Sequence, residues 1–188
     1  MKVRFIEPGN RPYKPTPLNL FVYDRYIRTP SVGLNTLATI VKEAVDDTLM
    51  YSESISRLQM SDILDADLIV IGIFTFNAPR GYRLARYFKK RSKAVIVMGG
   101  LHASMHVKEA IRYCDYVLLG EGDESILEMV EAVRKGEIPS FAGVAYRKDG
   151  KMVHTGMRRP PERFETIPDK NLIWHYKKMA GHNTLWGQ

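Results

Sequence analysis

Apolar strands alternating with amphipathic helices predict an α/β fold on a mostly parallel sheet covered on both faces. Two segments carry most of this reading. Asp67 to Phe76 (DLIVIGIFTF) and Ala94 to Met98 (AVIVM) lack a polar face, as strands buried on both sides must. Each is followed by helical spacing: Gly81, Leu84, Ala85 and Phe88 after the first, Val107, Ala110, Ile111 and Cys114 after the second. A third observation is where the glycines fall. Gly99-Gly100 and Gly120-Glu121-Gly122 stand where strands end, at the edge where open α/β sheets bind ligands.

Taken in order, Lys2 to Glu7 alternates and reads as the first strand, stopped by Pro8-Gly9-Asn10. Arg11 to Pro30 carries Pro12, Pro15, Pro17 and Pro30, so regular structure is expected to be sparse there, with Leu20 to Tyr23 as its apolar part. Ser31 is a natural N-cap for a helix burying Leu34, Leu37, Ala38 and Val41. Asp47 to Ser52 is a second strand. The Asp67 strand leads into a helix over Ala78 to Lys90. Tyr116 to Leu119 is the fifth strand, and the helix behind it buries Ile126, Met129, Val130 and Val133 and stops at Gly136. Phe141 to Tyr146 and Lys151 to Thr155 flank Asp149-Gly150, a hairpin signal. The whole reads as a flavodoxin-like (Rossmann-like) three-layer sandwich: a mostly parallel five-stranded sheet with a C-terminal β-hairpin extension. Residues 1–157 form the domain, with its hairpin at 141–155, and the basic, proline-rich residues 158–188 read as a connector.

Composition bounds the function. No apolar run approaches the ~20 residues of a membrane span, and the first ten residues turn polar too soon for a signal peptide. The single cysteine, Cys114, excludes an internal disulfide or a multi-cysteine metal site and falls on an apolar helix face, as a core residue does. A cytoplasmic protein is expected. The net charge of +7 gathers partly on Arg80, Arg83, Arg86, Lys89, Lys90 and Arg91, which read as a solvated helix face rather than a nucleic-acid footprint.

Four turns should meet at one sheet edge: Ser31-Val32-Gly33, Thr75-Phe76-Asn77, Gly99-Gly100 and Gly120-Glu121-Gly122. Such a rim is rich in accessible backbone and suits a large ligand, although a glycine pair is also what an ordinary tight turn contains. It is poorly furnished for catalysis. Glu121 and Asp123 have no nucleophile at a readable spacing, and Glu121 is expected to brace loop amides. Neither a Walker-type loop nor GxGxxG is present. His102 and His106 have i, i+4 spacing, but only His106 falls inside the expected helix, so no zinc site is expected and His102 should face the crevice.

The ordered series TPSVGLNTLATIV, DADLIVIGIFTFNAPRGYRLA, VIVMGGLHAS, CDYVLLGEGDESILEMVEAV and AGVAYRKDGKMVHTGMRRPPERFETIPD resembles the N-terminal cobalamin-binding domain of cobalamin-dependent radical S-adenosylmethionine enzymes. The resemblance covers roughly Thr29 to Asp169. It implies a corrinoid cofactor, cobalamin, with the corrin over the carboxyl edge of the sheet and the dimethylbenzimidazole tail in a slot beside the central strands. Gly99 and Gly100 would line the slot, and Thr75, in the turn with Phe76 and Asn77, would offer a hydroxyl. Ser31, Val32, Gly33, Leu34, Leu101, His102, Gly120, Glu121 and Gly122 would line the corrin. Related domains with a histidine on cobalt carry D-x-H-x-x-G after the first strand. Here Pro8-Gly9-Asn10 stands there, implying base-off binding without a histidine ligand. The family's S-x-L element falls on Phe74-Thr75-Phe76, which lacks the serine. The three-cysteine iron–sulfur motif is absent, so this chain is not expected to cleave S-adenosylmethionine. The iron–sulfur cluster and that substrate belong to a longer parent, a methyltransferase or related radical enzyme, whose catalytic domain would partner this one in cis or in trans. The alternative is a domain of the same fold that has lost the corrinoid and serves recognition. A receiver-like signalling domain ranks last, because Glu7 and Asn77 do not supply its acidic cluster and phosphorylatable aspartate.

Overall fold

The computed structural model describes residues 1–9, 16–18, 29–160 and 166–179. Leu20 to Tyr23 lie outside the described residues. Strands β1 (Lys2–Glu7), β2 (Asp47–Ser52), β3 (Leu68–Gly72), β4 (Val95–Gly99), β5 (Tyr116–Leu118), β6 (Val144–Lys148) and β7 (Lys151–His154) form one sheet in the order β2-β1-β3-β4-β5-β6-β7. β1 to β5 are parallel, and β6 and β7 continue the sheet antiparallel. The sheet therefore has seven strands rather than five. The hairpin is part of it because Val144 and Ala145 are buried opposite Leu118 and Val117. Asp149 and Gly150 take the positive φ values, 50° and 76°, that a tight hairpin turn requires.

The helices divide between the two faces. α1 (Val32–Ala44) and α6 (Asp123–Lys135) bury Leu34, Ala38, Val41, Ile126, Met129 and Val130 against Phe5, Val70 and Val97. α2 (Met60–Leu64), α3 (Ala78–Arg91), α4 (Leu101–Met105) and α5 (Val107–Ala110) cover the other face through residues such as Ile63, Leu84, Phe88 and Ala103. β1 leads outward to β2, whereas β3 to β5 run the other way. The chain thus reverses its winding between β1 and β3, and a crevice opens at the carboxyl edge.

Local chemistry explains the boundaries. The Ser31 hydroxyl accepts from Leu34 N at 3.3 Å and starts α1, and Gly136 at φ 68° ends α6. β3 stops at Gly72 instead of reaching Phe76, because the Asn77 side chain accepts from Phe74 N at 2.8 Å and folds residues 74–77 into a turn. The expected single helix after β4 is two, α4 and α5, parted at His106 (φ −120°), and α4 starts directly after Gly100, so His102 lies inside a helix. α2, five residues long, is too short to show periodicity in the sequence. Its Asp62 receives Arg4 Nε at 2.5 Å and the Tyr51 hydroxyl at 2.7 Å, and the Arg4 contact holds that carboxyl well below the usual range.

Cys114 is buried, its Sγ donates to Ala110 O, and burial pushes its thiol up to about 12, so it is a core residue. Leu172 and Ile173 are buried, Ile173 bridges Met50, and Trp174 N donates to Met50 O at 2.8 Å. Among the described residues, no helix is long and apolar enough to cross a membrane.

Candidate functional site

A cleft of about 350 Å³ opens at the carboxyl ends of β3, β4 and β5 beside the start of α1. β3 and the turn after it contribute Val70, Gly72, Ile73 and Phe74, and the Ala94 strand contributes Gly99 with Gly100 and Leu101 behind it. Leu118, Gly120, Glu121, Gly122 and Asp123 follow from β5 into α6, and Ser31, Gly33, Leu34, Thr36 and Leu37 come from α1 and its cap. The lining is mainly apolar side chains and bare backbone, as cofactor clefts usually are.

Two glycines on this edge play different parts. Gly100 has φ +93°, and a Cβ there would stand 2.7 Å from Ile73 O, so the backbone itself demands glycine. Gly99 has no such constraint. A Cβ there would meet Leu118 at 3.8 Å, an ordinary contact, so what its missing side chain provides is open space in the cleft. On the α1 side, Leu34 and Leu37 reach across to Gly72 and Gly122, where a Cβ would come within 3.0 Å and 2.9 Å of their methyl groups. The two leucines thus form an apolar wall of the cleft.

Glu7, at the end of β1, anchors that wall. Its carboxylate accepts from Ser31 N at 2.8 Å, just before α1, and from the Ser52 hydroxyl. The side chain is buried, and burial pushes its pKa up to about 7 against the pull of those hydrogen bonds. The folded carboxyl therefore holds its proton more tightly than the unfolded one, which titrates near 4.5. The cost of ionising it is absent below about pH 4.5, grows as pH rises to about 7 and is complete above that. Stability should fall across that window by at most on the order of 3 kcal/mol. Glu7→Gln should flatten the fall, as read from urea midpoints at pH 5 and pH 8.

Of the residues expected from sequence, Ser31, Gly33, Leu34, Gly99, Gly100, Leu101, Gly120, Glu121 and Gly122 line one cleft. Val32 sits on the exposed side of α1. His102 does not face the crevice: it is buried, with Nδ1 3.2 Å from the Thr75 hydroxyl and Nε2 3.1 Å from the Tyr82 hydroxyl. Desolvation lowers its pKa, so the neutral ring is favoured. That contact also engages the Thr75 hydroxyl, which stays outside the cleft lining. Asn77 is buried and braces its own turn, donating to Pro8 O at 3.1 Å. Phe74, the phenylalanine in place of the serine, lines the cleft, and Phe76, 61% exposed and outside the lining, stacks on it at 5.6 Å. Glu121 makes no hydrogen bond among the described residues and does not brace loop amides.

Gly72, Leu37 and Ser104 also belong to the site. Gly72 was legible as a glycine inside an apolar strand, a mark of close approach. Leu37 looks from sequence like any other core position. Ser104, whose hydroxyl accepts from Gly120 N at 3.0 Å, left no signal beyond its place in HAS.

The B12 binding domain model matches residues 21–130, more than half of the chain. An uncharacterized methyltransferase of Pyrococcus horikoshii is 29% identical over 149 residues, covering 74% of this chain and 32% of that protein. A bacteriochlorophyllide d C-8(2)-methyltransferase of Chlorobaculum tepidum is 35% identical over 74 residues, covering 39% of this chain and 16% of that protein. The chain therefore spans about a third or less of these relatives. In fold it is similar to the radical S-adenosylmethionine methyltransferase TsrM of Kitasatospora setae, solved with cobalamin and a 4Fe–4S cluster, at TM-score 0.63 and 14% identity over 89% of this chain and 31% of that one. It is likewise similar to the cobalamin-dependent S-adenosylmethionine radical enzyme OxsB, solved with aqua-cobalamin, at TM-score 0.62 and 14% identity over 85% of this chain and 22% of that one. The family match and a glycine-lined cleft at the carboxyl edge of a parallel sheet agree: the chain belongs to the B12-binding domain family, and it shares its fold with the cobalamin-bound structures of TsrM and OxsB.

Proposed function

We propose that this domain binds cobalamin base-off, with the nucleotide tail in the cleft between α1 and the strand ends and no protein histidine on cobalt. The observation that carries the reading is the cleft of about 350 Å³ lined by Gly72, Gly99, Gly100, Gly120 and Gly122. It is of a size for a nucleotide-like tail but not for the corrin as well, so the corrin belongs on the rim above it. That rim carries exposed apolar side chains, Phe76, Leu101 and Met157, suited to a macrocycle or to a second domain closing over it. Glu121 adds a carboxylate free to meet the corrin amides.

The histidines support binding without a protein ligand to cobalt. Among the described residues none lines the cleft, Pro8-Gly9-Asn10 follows β1, and His102 is held by Thr75 and Tyr82. When bound, cobalamin would supply a methyl carrier or tune radical chemistry, while these residues bind and orient it. In the longer parent the domain would present the corrin to a radical S-adenosylmethionine methyltransferase domain, in cis or in trans, with residues 158–188 as the connector. The electron paramagnetic resonance spectrum of the cob(II)alamin complex tests the ligation. The expected spectrum lacks splitting by an axial nitrogen. A three-line splitting on each cobalt line would mean that a benzimidazole or imidazole nitrogen occupies that position, and would overturn the base-off, histidine-free reading.

A further inference from the structure

At the opposite edge of the sheet, where β5 begins and β6 ends, the molecule has a second cavity, of about 550 Å³. Its lining includes Lys89, Arg112, Arg147 and Lys148, together with Tyr116 and Tyr146. The one carboxylate present, Asp115, is already engaged. One oxygen takes Lys89 Nζ at 2.6 Å, and the other accepts from Ile96 N at 2.9 Å. Arg112, Arg147 and Lys148 have no carboxylate partner among the described residues. Three unneutralised cations around one hollow repel one another, and nothing in the packing of the sheet calls for them there. The tyrosine rings lie 5.9 Å apart at 60°, and with Ile111 and Ile138 they give the same cavity an aromatic and apolar wall. β6, which supplies Tyr146, Arg147 and Lys148, lies beyond the residues matched to the B12 binding domain model.

We propose that this cavity is a second ligand site, independent of the corrinoid cleft, that takes a nucleotide. Its phosphates would pair with Arg112, Arg147 and Lys148, and its base would lie against Tyr116 and Tyr146. Guanidinium groups chelate phosphate through paired donors, and the flanking ring surface discriminates a nucleotide from a simple anion. The ligand would be a free nucleotide or the phosphorylated end of a strand, since both offer a base next to phosphate.

Titration of the whole chain with fluorescently labelled ADP, inorganic pyrophosphate and a 5′-phosphorylated trinucleotide tests this. Saturable binding of ADP or the trinucleotide is expected, weakening with added salt, with the tighter of the two identifying the source. The variant Arg112→Glu/Arg147→Glu should bind at least about tenfold more weakly. Its melting temperature and corrinoid binding should stay unchanged, which separates this site from the cleft. Absence of saturable binding, affinity unaltered in the variant, or pyrophosphate binding as tightly as ADP would each overturn the proposal.

Discussion

Gly99→Leu should cut cobalamin affinity by about 100-fold or more while leaving the domain folded. Gly99 lines the cleft, and its Cβ direction is free: the nearest atom to an added Cβ is Leu118 Cβ at 3.8 Å. A leucine there therefore meets the sheet comfortably at its base and fills the cleft with its isobutyl group. Displacing a buried ring from an apolar cleft forfeits roughly 3 kcal/mol of burial, which sets the size of the effect. Gly99→Ala, adding one methyl group in van der Waals contact, should cost only a few-fold. Equilibrium titration of both variants with hydroxocobalamin, paired with thermal melts, checks the order. A Gly99→Leu protein that melts normally and binds as tightly as the wild type would place the tail elsewhere.

Gly100→Ala should act on the fold instead. At φ +93° and ψ 174° an L-residue is strained, and the added Cβ would stand 2.7 Å from the Ile73 carbonyl oxygen. That oxygen belongs to backbone, which also receives His102 N at 3.3 Å, so it cannot simply swing aside. Strain of about 1–3 kcal/mol from the dihedral angle and a similar overpacking cost give roughly 4 kcal/mol in all. Urea unfolding should show the midpoint falling sharply with the slope unchanged. A loss below about 1 kcal/mol would mean that the β4–α4 turn is far more pliable than its contacts imply. The two neighbouring glycines therefore separate binding from stability within one dipeptide.

Much of this was legible in the sequence, for physical reasons. The five parallel strands and the helix faces followed from apolar runs and 3.6-residue spacing, because burial on both sides of a sheet leaves no other pattern. The glycine turns likewise announced the cleft, since strand ends at a parallel sheet's carboxyl edge converge whatever the loops contain. Side-chain direction was what the sequence withheld. His102 looked like a crevice residue because it follows Gly99-Gly100, but the immediate start of α4 rotates it inward to Thr75 and Tyr82. The hairpin's place in the sheet depended on pairing with β5, a long-range contact that no local pattern encodes. Likewise Leu37 became a site residue only through the packing of α1 beside the start of α6. The basic amino-edge cavity draws on α3, the turn after α5, and β6, far apart in sequence, so the sequence alone offered only the charge on one helix.

If this chain by itself holds a corrinoid, the colour will follow it through desalting. The most direct measurement is the visible spectrum of the purified domain after mixing with hydroxocobalamin and desalting. A retained, base-off corrinoid approaching one per chain is expected. A well-folded, colourless protein would contradict it and point to a domain of this fold that has given up the cofactor.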